Sequence, residues 1–421
     1  MAERQFLCID LKSFFASVEC VERGLDPMKV NLVVADPDRS DKTICLAITP
    51  AMKALGIKNR CRVFEIPKNV KYITASPRMQ KYIDYAAEIY SIYLNYVSKD
   101  DIHVYSIDEV FMDVTHYLPL YKTDAKTLAK RIMEDVFQKI GIRATCGIGT
   151  NLYLAKIALD ITAKHADDFI GELDEESYRQ KLWDHRPLTD FWRIGAGTAK
   201  RLERAGIYTM GDIAAADEDL IYSWFGIDAE LLIDHAWGRE PTEIAHIKAY
   251  KSKTNCLASG QVLMRDYTFD EARLIVKEMM DLMCLEMVDT DMVTESVTLQ
   301  VGYSNHLDLP PDKGTAKLPK PTNSDAVVIP AVVRVYEKIA QRDKPIRRIN
   351  LTCNRITPEG NFQLSFFDDP VEAEKNHELQ KTVIGIKKRF GKNAIIKGMN
   401  LEKAATTMER NRQIGGHKSG E

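Results

Sequence analysis

Three acidic residues stand at the ends of apolar segments, where burial should penalise charge. Asp10 ends the apolar run QFLCID, and the adjacent Asp108 and Glu109 interrupt the strand-like stretch VYSIDEVFMD. Neighbouring side chains within a strand point to opposite faces, but at a strand end both carboxylates can reach a common edge. If the two strand ends are adjacent in one sheet, all three acids come together.

Clustered carboxylates cannot all stay ionised without a compensating cation. Hard oxygen ligands suit Mg²⁺, which is usually held by carboxylates together with substrate phosphates. Two such ions can clamp the attacking and leaving oxygens of a phosphoryl transfer. The acids therefore predict metal-assisted phosphoryl transfer, and the alternative is an ordinary solvent-facing turn.

The elements that must position these acids alternate between strands and helices. The strand-like segments are QFLCID, NLVVAD, TICLAI, HVYSIDEVFMDV and RATCGIG, and helical spacing is found in FFASVECVERGL, residues 81–97, residues 124–139 and NLYLAKIALDITAK. This order predicts an α+β sheet layered with helices. Residues 172–240 are predicted to be all-helical, and 254–355 return to strand–helix alternation. Within 254–355, the stretch PPDKGTAKLPKP between the strand-like TESVTLQVGY and RRINLTCNRI is predicted to be a loop because of its composition.

Composition sets the remaining bounds. A chain of 421 residues allows two to four domains, and 45% hydrophobic with 28% charged residues indicates a globular protein. The net charge of −3 means that any surface for nucleic acid must be local. Eight scattered cysteines without a C-x-x-C pair indicate reduced core thiols. Without a signal peptide or a membrane-spanning run, a cytoplasmic protein with no membrane partner is expected.

The stretches IDLKSFFASVE and YSIDEVFMDVT resemble the two metal-binding motifs of the Y-family (translesion) DNA polymerases. The resemblance continues in order through AITPAMKALGIK, GIGTNLYLAKIALDITAK and WRIGAGTAKRLERAGIYTMGDIAA, which is similar to a helix-hairpin-helix. It is strongest to the bacterial branch with a basic IGGHK tail, seen here as IGGHKSGE.

The resemblance implies an α+β multidomain right-hand polymerase with a ferredoxin-like palm, small fingers, a helical thumb and an α/β little finger. The implied boundaries are 1–12 and 78–171 for the palm, 13–77 for the fingers, 172–240 for the thumb with its helix-hairpin-helix at about 191–215, 241–253 for a linker, 254–358 for the little finger, and 359–421 for a tail. The implied activity is error-prone, template-directed addition of deoxynucleoside triphosphates to a primer 3′ end.

The same resemblance assigns roles at the reacting end. Asp10, Asp108 and Glu109 would be the catalytic acids that ligate two Mg²⁺ ions, which Mn²⁺ can replace, with the Leu11 carbonyl assisting. Phe15 falls at the steric gate, where a flat aromatic ring beneath the sugar would collide with a ribose 2′-hydroxyl. A core phenylalanine is the alternative for that residue.

Further positions are assigned to phosphates. Lys53 and Lys164 align with basic residues that contact the triphosphate. Pro50 stands where the family often carries a tyrosine and offers no hydroxyl, so one phosphate contact is either absent or replaced by Thr49. For DNA, the turn at Gly195 and Gly197 offers backbone N–H groups to a phosphate, and Lys200 adds charge beyond it. Arg347 in the little finger is expected to follow the DNA backbone.

A pentapeptide in the tail resembles the peptide with which bacterial polymerases bind a sliding clamp. Its residues are Gln363, Leu364, Ser365, Phe366 and Phe367; the alternative is a last strand that buries Leu364 and Phe366. The expected partners are primer–template DNA, deoxynucleoside triphosphates, the sliding clamp (beta) and possible SOS accessory proteins, around a monomer. Two other functions were weighed against the polymerase: a palm-type nucleotide cyclase and a catalytically inert clamp- or DNA-binding scaffold.

Overall fold

The computed structural model of this chain describes residues 4–252, 255–360 and 370–420. The chain divides into two compact units, Met1–Tyr250 with His417–Glu421, and Lys251–Gly416. No helix in these described ranges is both long and apolar enough to cross a membrane.

The first unit combines two sheets with twelve helices among its described residues. Its strands are β1 (Phe6–Leu11), β2 (Leu32–Val34), β3 (Ala47–Ile48), β4 (Ile73–Ala75), β5 (Ile102–Val104), β6 (Glu109–Asp113), β7 (Ala144–Gly149) and β8 (Ile170–Leu173). Its helices are α1 (Phe14–Val21), α2 (Pro50–Ala54), α3 (Met79–Tyr93), α4 (Tyr117–Tyr121), α5 (Ala125–Ile140), α6 (Leu152–Ile157), α7 (Glu175–Leu182), α8 (Ala196–Glu203), α9 (Met210–Ala215), α10 (Glu218–Phe225), α11 (Asp228–Ala236) and α12 (Ile244–Ala249).

The larger sheet has the order β5-β6-β1-β7-β8, with β1 antiparallel to both neighbours. Leu7 and Ile9 of β1 join the core that includes residues of α1, α3 and α5. Phe6 and Cys8 lie on the opposite face, where they pack with residues of α6. Because side chains alternate along a strand, Asp10 lies on the α6 face as well.

Glycines in β7 allow α6 to lie directly on the sheet. A Cβ atom at Gly147 would lie 2.0 Å from the carbonyl oxygen of Ala155, and one at Gly149 would lie 2.2 Å from the backbone nitrogen of Ala155. These obstacles are backbone atoms, which cannot rotate away. Glycine is therefore required at both positions for the helix to approach this closely.

The smaller sheet of the first unit has the order β3-β2-β4, with β2 parallel to β4. It encloses a small separate core, which includes Val33, Ile48 and Met52. Helix α2 begins directly after β3 with Pro50 at its first position, where a missing N–H is tolerated. Residues 174–240 follow the larger sheet, and all their regular elements are helices, α7 to α11, around a core that includes Tyr178 and Leu202.

The segment predicted to be a linker, 241–253, differs from that expectation. It contains α12, and Ile244 at the start of this helix is buried against Phe6 and Phe111 of the larger sheet. The charged, lysine-containing sequence suggested a linker, but Ile244 and the partly buried Ile247 pack the helix on the sheet.

The second unit contains a sheet with the order β11-β10-β12-β9, covered on one face by long helices. Its strands are β9 (Cys256–Tyr267), β10 (Met292–Tyr303), β11 (Asp312–Thr322), β12 (Ile346–Asn354) and β13 (Thr357–Pro358), and its helices are α13 (Phe269–Asp289), α14 (Asp325–Ile339), α15 (Pro370–Phe390) and α16 (Thr407–Arg410).

The short strands β14 (Gln413–Ile414) and β15 (His417–Lys418) flank Gly415 and Gly416 near the end of the chain. Single 3₁₀ turns occur at Val63–Glu65, Lys99–Asp101, Ala163–His165, Leu188–Asp190 and Gly398–Leu401, and α6 continues into a π-helical turn at Ala158–Thr162.

The prediction of a loop at PPDKGTAKLPKP is wrong, because Asp312–Thr322 form strand β11. This strand pairs only with β10, so it is an edge strand, where prolines are tolerated. The register with β10 shifts between Thr294 and Ser296, opposite the part of β11 that contains Pro319 and Pro321. Composition alone could not separate an edge strand from a loop.

The predicted tail, 359–421, is also more ordered than expected over much of its described length. Helix α15 packs on α13, and the buried carboxylate of Glu278 accepts hydrogen bonds from the side-chain amide of Asn400 and the backbone nitrogen of Thr406, both at 2.8 Å. A buried carboxylate needs such donors. These residues are therefore part of the second unit.

The close contact of α6 with β7 predicts a strong effect of Gly147→Ala. The added methyl group must push the helix off the sheet, and we expect the free energy of unfolding to fall by about 3 kcal/mol or more. Urea unfolding followed by circular dichroism measures the change. Gly197→Ala is the matched control, since a Cβ atom there meets nothing within 4 Å; equal stability of the two variants would contradict the close packing.

Candidate active site

The strand pair β1–β6 brings the three predicted acids together. Asp10 lies directly opposite Glu109 in the antiparallel register. Asp108 immediately precedes β6, and its carbonyl oxygen accepts a 2.9 Å hydrogen bond from the backbone nitrogen of Leu11. The Asp108 carboxylate accepts a 2.6 Å hydrogen bond from the hydroxyl of Ser106. The structure therefore places these side chains at one end of two adjacent strands, as the strand-end pattern predicted.

Burial and neighbouring carboxylates raise the pKa of two of these acids, Asp10 and Glu109. Burial raises the pKa of Asp10 to about 7, and the negative charges of Asp108 and Glu109 contribute to this rise. Burial also raises the pKa of Glu109, and the nearby Asp160 adds to it, although Lys156 and Cys8 act in the opposite direction. The folded chain thus holds more negative charge at this point than it can stabilise by itself.

Lys156 is a central residue of the site that the sequence analysis did not identify. Its ammonium group lies 2.9 Å from the Glu109 carboxylate and 3.0 Å from that of Asp160, one helical turn away. Burial would lower the pKa of Lys156, but the opposing effects of Cys8, Asp160 and Glu109 raise it. The thiol of Cys8 also donates a 3.2 Å hydrogen bond to Glu109. The signal was an i, i+4 Lys–Asp pair on the helix that follows a glycine-containing strand.

The oxygen ligands suit a hard divalent cation, but Glu109 is already paired. Asp10 and Asp108 offer carboxylate oxygens, and the raised pKa of Asp10 marks charge without a sufficient counter-ion. In the described parts of the chain, no group of three His, Cys, Asp or Glu side chains is arranged to hold a metal ion. The Glu109 carboxylate is held by Lys156, so a cation shared by all three acids requires a rearrangement of their side chains.

Basic side chains lie close to these acids. Partial desolvation lowers the pKa of Lys53 on α2, and Lys164 lowers it further, while Asp10 and Asp108 oppose the change. Lys12, two residues after Asp10, has its pKa lowered by burial and by Lys53. No described residue forms an ion pair with Lys12, Lys53 or Lys164.

The structure adds one lysine to the site, Lys12, and does not support the expected role of Thr49. The ammonium group of Lys12 lies 3.8 Å from the centre of the Phe169 ring, and this lysine was not singled out in the sequence. Thr49 is fully buried, and its hydroxyl accepts a 3.1 Å hydrogen bond from the backbone nitrogen of Leu32. The predicted phosphate contact of Thr49 is therefore not supported, because its hydroxyl serves the small sheet of the first unit.

Phe15 stacks on a buried tyrosine. The rings of Phe15 and Tyr82 are 4.5 Å apart and inclined by 15°. The Tyr82 hydroxyl donates a 2.8 Å hydrogen bond to Glu19, which is fully buried and accepts two further hydrogen bonds from Arg78, at 2.9 and 2.8 Å. Phe15 is only partly buried, so part of its side chain remains accessible.

The predicted DNA contacts are divided between the two units. Gly195 is the N-cap of α8, and a Cβ atom at Gly195 or Gly197 would meet nothing within 4 Å. Lys200 is exposed on the same helix. In the second unit, Arg347 lies 3.6 Å from Asp266, whereas Arg348 is exposed. The register shift between Ile346 and Arg348 changes the alternation, which the sequence could not reveal. The predicted clamp-binding peptide, 363–367, lies outside the described residues.

Comparison with known proteins identifies relatives along the whole chain. Residues 9–160 match the impB/mucB/samB family, and residues 257–366 match the C-terminal domain of that family. The chain is 31% identical over 418 residues to the putative UV-damage repair protein UvrX of Bacillus subtilis (strain 168), with 99% of this chain and 98% of that protein covered. It is 32% identical over 423 residues to DNA polymerase IV 2 of the same organism, with 99% of both chains covered.

A solved structure supports the same assignment at the level of the fold. The Y-family DNA polymerase chimera Dbh-Dpo4(243-245)-Dbh matches with a TM-score of 0.63 and 19% sequence identity, over 84% of this chain and 99% of its own. With the sequence relatives, this likeness favours the polymerase over the cyclase and the inert scaffold. The protein therefore belongs to the impB/mucB/samB family of Y-family DNA polymerases.

Proposed function

We propose that this translesion DNA polymerase adds deoxynucleoside triphosphates to a primer 3′ end at a metal centre held by Asp10, Asp108 and Glu109, with the Leu11 carbonyl assisting. The observation that supports the proposal most directly is the pKa of Asp10, which burial and two neighbouring carboxylates raise to about 7. Mg²⁺ ions bound there, or Mn²⁺ in their place, would neutralise this charge and the charge that develops on the reacting phosphate oxygens.

The residues of the chain prepare the site before any ion binds. Lys156 favours the ionised form of the Glu109 carboxylate in a partly desolvated environment. Ser106 fixes the Asp108 carboxylate through a 2.6 Å hydrogen bond. A fixed ligand loses less conformational freedom on binding, so this hydrogen bond favours a defined coordination by Asp108.

The unpaired lysines are suited to the triphosphate. Lys12 and Lys53 lie near the acids, Lys164 lies near Lys53, and none of the three forms an ion pair with a described residue. Burial lowers the pKa of Lys53 and of Lys12, and repulsion from neighbouring cations lowers both further. A polyanion placed between them would relieve this repulsion. We assign these three residues to the phosphates of the incoming nucleotide.

Phe15 is suited to sugar selection. Its ring is supported from below by the buried Tyr82, and part of its side chain is accessible. A supported ring cannot retreat from a ribose 2′-hydroxyl without displacing Tyr82. We therefore assign the steric gate to Phe15.

The glycines of α8 are suited to a DNA phosphate. Neither a positive φ nor close packing requires glycine at Gly195 or Gly197. The space above the first turn of this helix is open, and its N–H groups and the nearby Lys200 can meet a phosphate without reading sequence. In the second unit, we assign backbone contacts to Arg348 in addition to Arg347, since Arg348 is the exposed one of the pair.

The remaining partners follow from the sequence resemblance alone. We assign the peptide from Gln363 to Phe367 to a sliding clamp, and a cytoplasmic location with possible SOS accessory proteins fits a polymerase of this family.

In the metal-free protein, the raised pKa of Asp10 should make the free energy of unfolding depend on pH. Its pKa in the folded chain, about 7, exceeds the usual value near 3.9, so the stabilising proton is present at low pH and is lost as pH rises through 7. Relative to Asp10→Asn, wild type should lose about 2–3 kcal/mol between pH 5 and pH 8 in EDTA, measured by urea unfolding. Asp113→Asn, at the other end of β6, should keep the wild-type dependence. A parallel pH dependence of wild type and Asp10→Asn would contradict the assignment.

Asp108→Ala should lower primer extension by about 10³-fold or more, because it removes one oxygen ligand of the ions that stabilise the transition state. Steady-state incorporation on a primed template with Mg²⁺ measures the loss. The control is Asp113→Asn, which leaves the strand end intact and should retain activity. Extension by Asp108→Ala within tenfold of wild type would remove this residue from the metal centre.

Phe15→Ala should admit ribonucleoside triphosphates, because the collision with the 2′-hydroxyl is lost. The ratio of kcat/KM for a matched deoxynucleotide over the ribonucleotide should fall by about 10² or more. Phe390→Ala, at an exposed phenylalanine of the second unit, is the control and should leave the ratio unchanged. An unchanged ratio in Phe15→Ala would assign this ring to the core instead.

A further inference from the structure

The basic end of the chain has no role in the function described above, yet it is firmly packed. Residues 417–420 belong to the first unit, although they follow the second unit in sequence. Gly415 and Gly416 precede them with φ angles of 60° and 81°, which favour glycine. Ser419 is only 8% exposed. We call residues 417–420 the terminal segment.

Three consecutive residues of the terminal segment contact the first unit. The ammonium group of Lys418 pairs with Asp36, at 2.9 Å, and with Asp38. The carbonyl oxygen of Ser419 accepts a 2.9 Å hydrogen bond from the backbone nitrogen of Gln80. Gln80 lies in the first turn of α3, where backbone N–H groups have no partner within the helix. The terminal segment thus supplies a cap that α3 lacks.

Gly420 brings the terminal segment against the backbone of Arg78. Its φ is 92°, and a Cβ atom there would lie 2.7 Å from Cβ and 2.8 Å from Cα of Arg78. A larger residue therefore cannot occupy this position without moving either the segment or the start of α3. The contact with Gly420 therefore restrains the backbone of Arg78.

Arg78 connects this contact to the ring of Phe15. Its guanidinium group donates two hydrogen bonds to the Glu19 carboxylate, at 2.9 and 2.8 Å. Glu19 accepts the hydroxyl of Tyr82 at 2.8 Å, and the Tyr82 ring stacks on Phe15 at 4.5 Å. Glu19 and Tyr82 are both fully buried. Arg23 also pairs with Glu19, but a shift of Arg78 would remove two hydrogen bonds from this buried carboxylate. The position of Tyr82 therefore depends in part on Arg78.

We propose that the terminal segment is a positioning element for sugar selection, which acts by fixing Arg78 and through it the Glu19–Tyr82 pair that supports Phe15. This inference rests on the assignment of the steric gate to Phe15. Ser419 and Lys418 anchor the segment, and Gly420 permits its close approach. The terminal segment touches neither the nucleotide nor the ions; it determines how far the Phe15 ring can yield to a 2′-hydroxyl.

The test compares sugar discrimination in variants of the full-length protein. Gly420→Ala places a methyl group against the Arg78 backbone, and Lys418→Ala removes the pairs with Asp36 and Asp38. Gly398→Ala is the matched control, since a Cβ atom there meets nothing within 4 Å. For each variant, kcat/KM is measured for a matched deoxynucleotide and the corresponding ribonucleotide, together with the melting temperature.

We expect Gly420→Ala and Lys418→Ala to lower the deoxynucleotide-to-ribonucleotide ratio by about tenfold, less than the roughly hundredfold effect that a 1 Å misplacement can have. Lys418→Arg keeps both carboxylate partners and should restore the ratio. Gly398→Ala should match wild type. A purely structural role would lower the melting temperature and leave the ratio unchanged.

Phe15→Ala in the same assay separates the two proposals. If Phe15→Ala lowers the ratio and the Gly420 and Lys418 variants do not, the positioning role is overturned while the steric gate stands. If Phe15→Ala leaves the ratio unchanged, the gate assignment fails and this inference fails with it. If Gly420→Ala does not fold, Lys418→Ala and Lys418→Arg alone decide the outcome.

Discussion

The active centre depends on an antiparallel register that holds like charges opposite each other. Asp10 and Glu109 are direct partners across β1 and β6, and the hydrogen bond from Leu11 to Asp108 fixes the third acid beside them. Like charges in this arrangement destabilise a strand pair. The pairing persists because β1 is central in the sheet and buries apolar side chains on both faces, as Leu7 and Cys8 illustrate. Hydrophobic burial of the strand thus imposes the proximity of the acids.

The glycines of β7 have an electrostatic consequence as well as a steric one. Because Gly147 and Gly149 let α6 lie directly on the sheet, Lys156 of that helix reaches Glu109 at 2.9 Å. Side chains at β7 would hold the helix farther away, and the ammonium group would lose this contact. The Glu109 carboxylate would then face the same lack of counter-ion as Asp10. The close packing of α6 on the sheet therefore also supplies the counter-ion of Glu109.

The sequence predicted those parts of the site that depend on local pattern. Asp10 and Glu109 were found because charge at the end of an apolar strand is unusual in itself. Lys156 was missed because its i, i+4 pair with Asp160 is an ordinary helical pattern, and its contact with Glu109 depends on how closely the helix approaches the sheet. Edge position explains the error at residues 312–322, since prolines are excluded from central strands only. A register shift explains why Arg348 rather than Arg347 is the exposed residue, because one extra residue reverses the alternation.

The absence of ion pairs between the acids Asp10 and Asp108 and the nearby lysines has a physical consequence. Direct ion pairs of Lys12, Lys53 and Lys164 with Asp10 and Asp108 would satisfy acids and lysines with each other and weaken their attraction for ligands of opposite charge. Among the described residues, Glu109 and Asp160 pair with Lys156, whereas no ion pair joins Asp10 or Asp108 to those three lysines. In the function proposed above, the acids would bind divalent cations and the lysines would bind phosphate oxygens. A nucleotide with its cations would bring both charges at once and satisfy both sets together, whereas either ligand alone would leave one set uncompensated.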